Sequence, residues 1–203
     1  MRNLYGHVFM VLVLILTVGG CGTTKPTQFY LLRASDTSIH QDRMAKDSAP
    51  LSVGVGPLML PKYLDRPQIV TRVAMHELSL AEFHKWAEPL KSRMLHVLGE
   101  NLSDSLLSDE VIVFPWKRSQ TPDYQVTFDV LQFDGMEDRD VALKVRWKIF
   151  GEGGTKLIQK KVSVVTEPWN GQDYGTLVQA MSRMLSTFSQ EVSASLLALS
   201  SGP

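Results

Sequence analysis

The residues best able to do chemistry are five histidines, one cysteine and an acidic run, and their spacing decides what each could do. His76-Glu77 begins like H-E-x-x-H, in which two histidines one helical turn apart hold zinc and the glutamate is general base. Leu80 stands where the second histidine is needed, so that centre is incomplete. His84 and His96 are too far apart in sequence to point to a shared site, and His40 lies in a polar stretch without period. These histidines read as structural or superficial, and no metal is expected. No G-x-S-x-G elbow is present to expose a serine nucleophile. Gly54 and Gly56 are followed by Pro57 rather than a helix, which rules out a dinucleotide-binding turn. Gly151 to Gly154 lacks the Lys-Ser/Thr of a phosphate loop and suits a hairpin turn. Asp134, Glu137, Asp138 and Asp140 have no calcium-loop spacing and enclose Arg139, the pattern of a solvated turn. No catalytic residue, cofactor or enzymatic role is expected.

Cys21 is the only thiol, and the residues before it assign it another chemistry. Arg2 is followed by an unbroken apolar run, Val8 to Leu16, which extended to Val18 falls well short of the roughly 20 residues that span a bilayer. Val18-Gly19-Gly20-Cys21 then resembles the lipobox of bacterial lipoproteins, in which a peptidase cuts before a cysteine whose thiol carries diacylglycerol. Residues 1–20 are therefore expected to be a signal peptide and Cys21 the lipidation site. One acyl chain holds only weakly, so a stable anchor takes more than one. The resemblance to lipoproteins implies three on Cys21, two in the diacylglycerol and one N-acyl chain. Gly22 stands where an aspartate would resemble an inner-membrane retention signal. The expected address is the periplasmic face of the outer membrane of a Gram-negative cell.

Removing the first 20 of 203 residues leaves 183, enough for one domain with a substantial core. The 21 basic and 21 acidic residues balance, and loss of Arg2 shifts the formal charge to about −1. Such a chain has no electrostatic footprint for nucleic acid. Residues 21–27 form a lipidated tether, residues 28–203 a single domain, and residues 34–50 a polar, mobile loop within it.

The periodicity supplies the elements. Gln28 to Leu32 and Leu51 to Gly56 suit strands, the second stopped by Pro57. Pro61 and Pro67 bracket a loop, and Gln68–Met75 with Glu77–Ala81 form two arms of a hairpin. Leu90, Met94, Val97, Leu98, Leu102 and Leu106 line one helical face, with Pro89 in the first turn. Val111 to Phe114 is a short strand. Tyr124 to Val130 and Val141 to Ile149 alternate strictly, and Leu157 to Thr166 returns as a third strand. Asp173 is the N-cap of a last helix whose apolar face runs from Tyr174 to Leu199. The fold class is α+β: a largely antiparallel sheet with two main amphipathic helices packed on one face, after an N-terminal lipoprotein signal peptide.

Val53-Gly54-Val55-Gly56-Pro57, then Leu60-Pro61-Lys62-Tyr63-Leu64-Asp65-Arg66-Pro67-Gln68-Ile69-Val70-Thr71-Arg72, then Trp86-Ala87-Glu88-Pro89-Leu90 together form a pattern. It closely resembles that of the PqiC-type auxiliary lipoproteins of ABC-type transport systems, and Phe29-Tyr30-Leu31-Leu32 and the final helix also fit. The resemblance implies a compact α/β domain at the outer membrane that partners a periplasmic MCE-domain protein, a conduit for lipids between the two membranes. It implies docking of that conduit and support of membrane integrity rather than a reaction. A ring-shaped conduit also leaves room for a homo-oligomer, because symmetric partners commonly meet symmetric docks.

Within the pattern, Met59, Tyr63, Leu64, Asp65 and Arg66 combine apolar and charged groups as an interface core and rim do, and Trp86 could join them or lie beneath. The same residues could instead plug the end of the sheet, with Asp65 and Arg66 tying down backbone groups. A stand-alone lipid carrier or envelope assembly lipoprotein is the alternative function, and it would need a deep apolar pocket. A periplasmic enzyme, the third reading, would need clustered polar groups in a cleft.

Overall fold

The computed structural model describes residues 25–35, 51–117, 119–136, 139–171 and 173–201. The signal peptide, Cys21 and most of the 34–50 loop lie outside the described residues. Eight strands and two helices follow in order: β1 (Gln28–Tyr30), β2 (Val53–Met59), β3 (Gln68–Ala74), β4 (Glu77–Trp86), α1 (Leu90–Leu106), β5 (Val111–Val113), β6 (Tyr124–Met136), β7 (Asp140–Gly151), β8 (Lys156–Pro168) and α2 (Tyr174–Ser200).

The strands form one sheet in the order β1-β4-β3-β6-β2-β5, with β7 on β6 and β8 on β7. The sheet is mixed, which corrects the expectation of a largely antiparallel one. The β3–β4, β6–β7 and β7–β8 pairs are antiparallel, whereas β1–β4, β2–β5, β2–β6 and β3–β6 are parallel. Alternation along one segment reports a half-buried strand but not its partner, and Val53 and its neighbour Tyr124 are far apart in the chain.

The hub is β6. Its full length pairs with β7 along one edge, so β2 and β3 must share the other. β2 pairs along Tyr124–Asp129 and β3 along Gly135–Met136, and the loop between them spans the gap. β2 continues through Pro57, where it was expected to end. Its register with β6 shifts between Val55 and Leu58, and its ladder with β5 ends at Val55–Val113, so the missing proline N–H disrupts no regular pairing. β4 likewise runs on from Ala81 to Trp86, where it pairs with β1.

One face of the sheet carries Val126, Phe128, Val130 and Phe133 of β6 and Val141, Leu143, Val145, Trp147 and Ile149 of β7, all buried. The helices pack on that face and on each other. Trp147 and Phe128 meet the Phe188 ring edge-on at 6.1 and 5.9 Å, and the Trp147 indole N–H donates to Ser163 Oγ at 2.9 Å. At the start of α2 the Asp173 carboxylate accepts from the backbone N–H groups of Gly175 and Thr176, as its N-cap position demands. No helix among the described residues is long and apolar enough to cross a membrane.

Candidate functional site

The loop from Leu60 to Pro67 folds on itself through short-range bonds: Leu64 N–H donates to Pro61 O, Asp65 N–H to Lys62 O and Arg66 N–H to Leu64 O. Two prolines remove donors and fix φ, which favours such a compact turn over a ladder. The exit is held by Trp86 N–H donating to Pro67 O at 2.7 Å.

Beneath the loop lies Asp134, 1% exposed, at the C-terminal end of β6. Tyr63 Oη donates to its Oδ2 at 2.7 Å. Arg72 donates Nε to Oδ1 at 2.8 Å and Nη2 to Oδ2 at 3.1 Å, and Gln132 Nε2 donates to Oδ1 at 2.9 Å. The buried charge is thus paired and its lone pairs are filled, the condition under which a buried carboxylate is tolerable. Burial, then the bond to Asp134, pushes the Tyr63 hydroxyl pKa up, and the bond to Asp134 raises that of Arg72. Near neutral pH Arg72 is therefore a guanidinium and Tyr63 a neutral phenol. This arrangement clamps; it offers no free base, acid or nucleophile.

The sequence placed Asp134 in a solvated turn, and the structure corrects this. Its neighbours Glu137 and Asp138 lie outside the described residues, while Asp140 begins β7 on the surface. Asp134 and Arg72 do the tying that was expected of Asp65 and Arg66. Asp65 is exposed, and Arg66 is half-buried with its Nε unpaired among the described residues. Leu64, 2% exposed, and Trp86 belong to the core, and Tyr63 is half-buried beneath the loop. Met59 is 64% exposed. The structure therefore divides the six residues read as a docking group: Met59 and Asp65 face outward, Tyr63, Leu64 and Trp86 hold the loop from within, and Arg66 is half-buried between them.

Sequence reasoning missed Asp134 and Gln132 because the β6 register shifts between Val130 and Gln132, which breaks the alternation two residues short. The buried Phe133 was the available signal that the strand continued. The described histidines remain separate, and His40 lies outside the described residues. His76 lies in the β3–β4 turn, His96 on the exposed side of α1, and His84 stacks on Tyr174 at 4.1 Å with its Nδ1 2.7 Å from Tyr30 Oη. Among the described residues no three His, Cys, Asp or Glu side chains gather as a metal site would require.

The fold is that of known structures. A crystal structure of an uncharacterized protein superposes with a TM-score of 0.67 at 19% identity, covering 85% of this chain and 99% of the other. Protein XCC0632 from Xanthomonas campestris gives a TM-score of 0.64 at 15% identity, covering 81% and 92%. A putative lipoprotein from Caulobacter crescentus CB15 is more distant, with a TM-score of 0.40 at 17% identity over 55% and 86%. No curated protein sequence matches the chain.

Residues 30–193 match the model of the ABC-type transport auxiliary lipoprotein component, and the chain belongs to that family. This is the PqiC-type family, a family of transport accessories and not of enzymes.

Proposed function

We propose that the chain is exported, acylated at Cys21 and held on the periplasmic face of the outer membrane. There it docks the MCE-domain conduit of an intermembrane lipid transport system and so supports membrane integrity. Family membership supplies the transport role. The observation that carries the docking role is the clamp: Tyr63 fixes the loop from below on Asp134, which Arg72 of β3 also holds. Trp86 fixes its exit at Pro67, so Asp65 on the loop and Met59 at the end of β2 stand on preformed structure. A rigid patch with an apolar member and a charged rim binds without first paying to order itself.

Among the described residues Trp147, Phe133 and Phe188, each fully buried, occupy the space between sheet and helices, which disfavours a stand-alone carrier with acyl chains held there. The test is affinity purification of the full-length lipoprotein from envelope membranes after in-cell crosslinking. Recovery of an MCE-domain protein in stoichiometric amount, lost in Met59→Asp with Asp65→Lys while thermal stability is kept, supports docking. Equal recovery by that variant, or no such partner with the bait intact in the outer membrane, refutes it. Tyr63→Ala with Leu64→Ala would not serve, because both side chains hold the loop.

A further inference from the structure

Among the described residues, the side of the sheet opposite the helices is open over β7, β8 and the first half of β6, up to the loop that covers Asp134. Cross-strand pairing puts Asp129, Arg146 and Val162 in one row, with Lys148 beside Lys160 and Lys144 beside Val164 in the rows on either side. Met59 pairs with Asp129 from β2 and joins the same face. Val162 and Val164 are 53% and 61% exposed. Arg146 is engaged with Asp129 at 2.8 Å, which leaves Lys144, Lys148 and Lys160 without an ion-pair partner among the described residues. A depression of about 300 Å³ between Pro57, Met59, Arg146, Lys148 and Lys160 lies within the patch. The rows from Lys144 to Lys148 thus gather four cations and one carboxylate in a chain of zero formal charge. Asp134, clamped by Arg72, and Asp140 at the start of β7 lie beyond Lys144 on the same side.

We propose that this face seats on the anionic headgroup surface of the bilayer that holds the protein, an inference that rests on acylation at Cys21. Lysines flanking exposed valines are the chemistry of an interfacial contact: the apolar stems and valines lie against the surface while the ammonium groups meet phosphates. The strands are about 4.8 Å apart, so the three lysines lie within about two Debye lengths of one another at physiological salt and act together on one charged plane. The six residues between Cys21 and Gln28 reach about 20 Å at most, which keeps the domain near the bilayer. An acidic protein surface would also satisfy the charges. The short tether favours the membrane, because it holds lipid within reach at all times.

The test uses full-length lipoprotein reconstituted in vesicles of phosphatidylcholine alone or with one-third phosphatidylglycerol. Acylated Cys21 takes no thiol label, so Val164→Cys carries a single environment-sensitive dye, and Thr187→Cys on α2 provides a control. The expected result is a blue shift and protection from aqueous quencher at position 164, only with phosphatidylglycerol, and no change at position 187. Each cation near an anionic surface contributes roughly fivefold in partitioning, so Lys144→Glu/Lys148→Glu/Lys160→Glu should weaken the seated state by at least about 100-fold. High salt should release the face while the protein still floats with the vesicles. A dye at position 164 equally wet in both vesicles overturns the seat, as does one shielded only when a periplasmic protein is captured. Labelling of Cys21 itself, or loss of flotation in high salt, would instead overturn the anchor.

Discussion

Replacing Asp134 by alanine tests the clamp most directly. The carboxylate accepts four hydrogen bonds from Tyr63, Arg72 and Gln132 and is 1% exposed. Deleting one member of a buried ion pair destabilises by about 3–5 kcal/mol, because the partner charge is left uncompensated. Arg72 keeps 23% of its side chain exposed and can regain some water, which places Asp134→Ala near the lower end, about 3 kcal/mol. Tyr63→Phe removes one bond to a charged acceptor that keeps three others, so its effect should be about 1.5 kcal/mol. If the unpaired guanidinium carries most of the loss, adding Arg72→Met to Asp134→Ala should recover stability relative to the sum of the single effects, by at least about 1 kcal/mol. Urea unfolding of the full-length protein, followed by tryptophan fluorescence at constant m, measures all four variants. A loss below about 0.5 kcal/mol for Asp134→Ala, or strict additivity with Arg72→Met, would refute the clamp.

Three further substitutions probe other parts of the fold. Phe188→Ala removes the ring against which Trp147 and Phe128 pack and should cost about 3–5 kcal/mol, read as a fall in Tm of about 6–20 °C by circular dichroism. Gly56 has φ +116°, and a Cβ there would lie 2.8 Å from Phe114 Cβ, so Gly56→Ala should destabilise by about 1–3 kcal/mol in the same scan. Asp173→Ala should cost about 1 kcal/mol at pH 7 as a lost N-cap. The Gly175 and Thr176 N–H groups lower the Asp173 pKa, so its contribution is present above the unfolded value near 3.9 and fades as pH falls through the folded one. Wild type and Asp173→Ala should therefore converge in acid, and a gap undiminished at pH 2 would contradict the cap.

The parts of the fold legible in the sequence were those in which one segment carries its own signal. Val141 to Ile149 alternate because one side of β7 meets the helices, and the apolar stripe of α2 and its Asp173 cap are local as well. The parallel partners of β2 were not legible, because those contacts join distant segments and leave no mark on periodicity. Asp134 was hidden for a related reason. Read with Gly135 and the acids that follow, it looks like a turn, and only the return of β3 and the loop onto β6 shows why a carboxylate is needed inside. Tyr63 and Arg72 were visible as parts of one motif, but their common acceptor was not.

Met59 is where two proposed surfaces meet, and this makes them mutually testable. It belongs to the outward part of the docking group and, through its pairing with Asp129, to the basic face of the sheet. A side chain cannot lie against lipid headgroups and inside a protein interface at once, so seating and docking should exclude each other there. Asp65 lies on the loop instead, and an acidic group gains nothing from an anionic membrane. A photo-crosslinking residue at position 59 in cells should therefore yield lipid adducts when the transport partner is deleted and protein adducts when it is present. The same probe at position 65 should yield protein adducts alone, and only with the partner. Lipid adducts at position 59 that persist unchanged with the partner present would mean that Met59 serves the membrane and that the dock must be sought around Asp65.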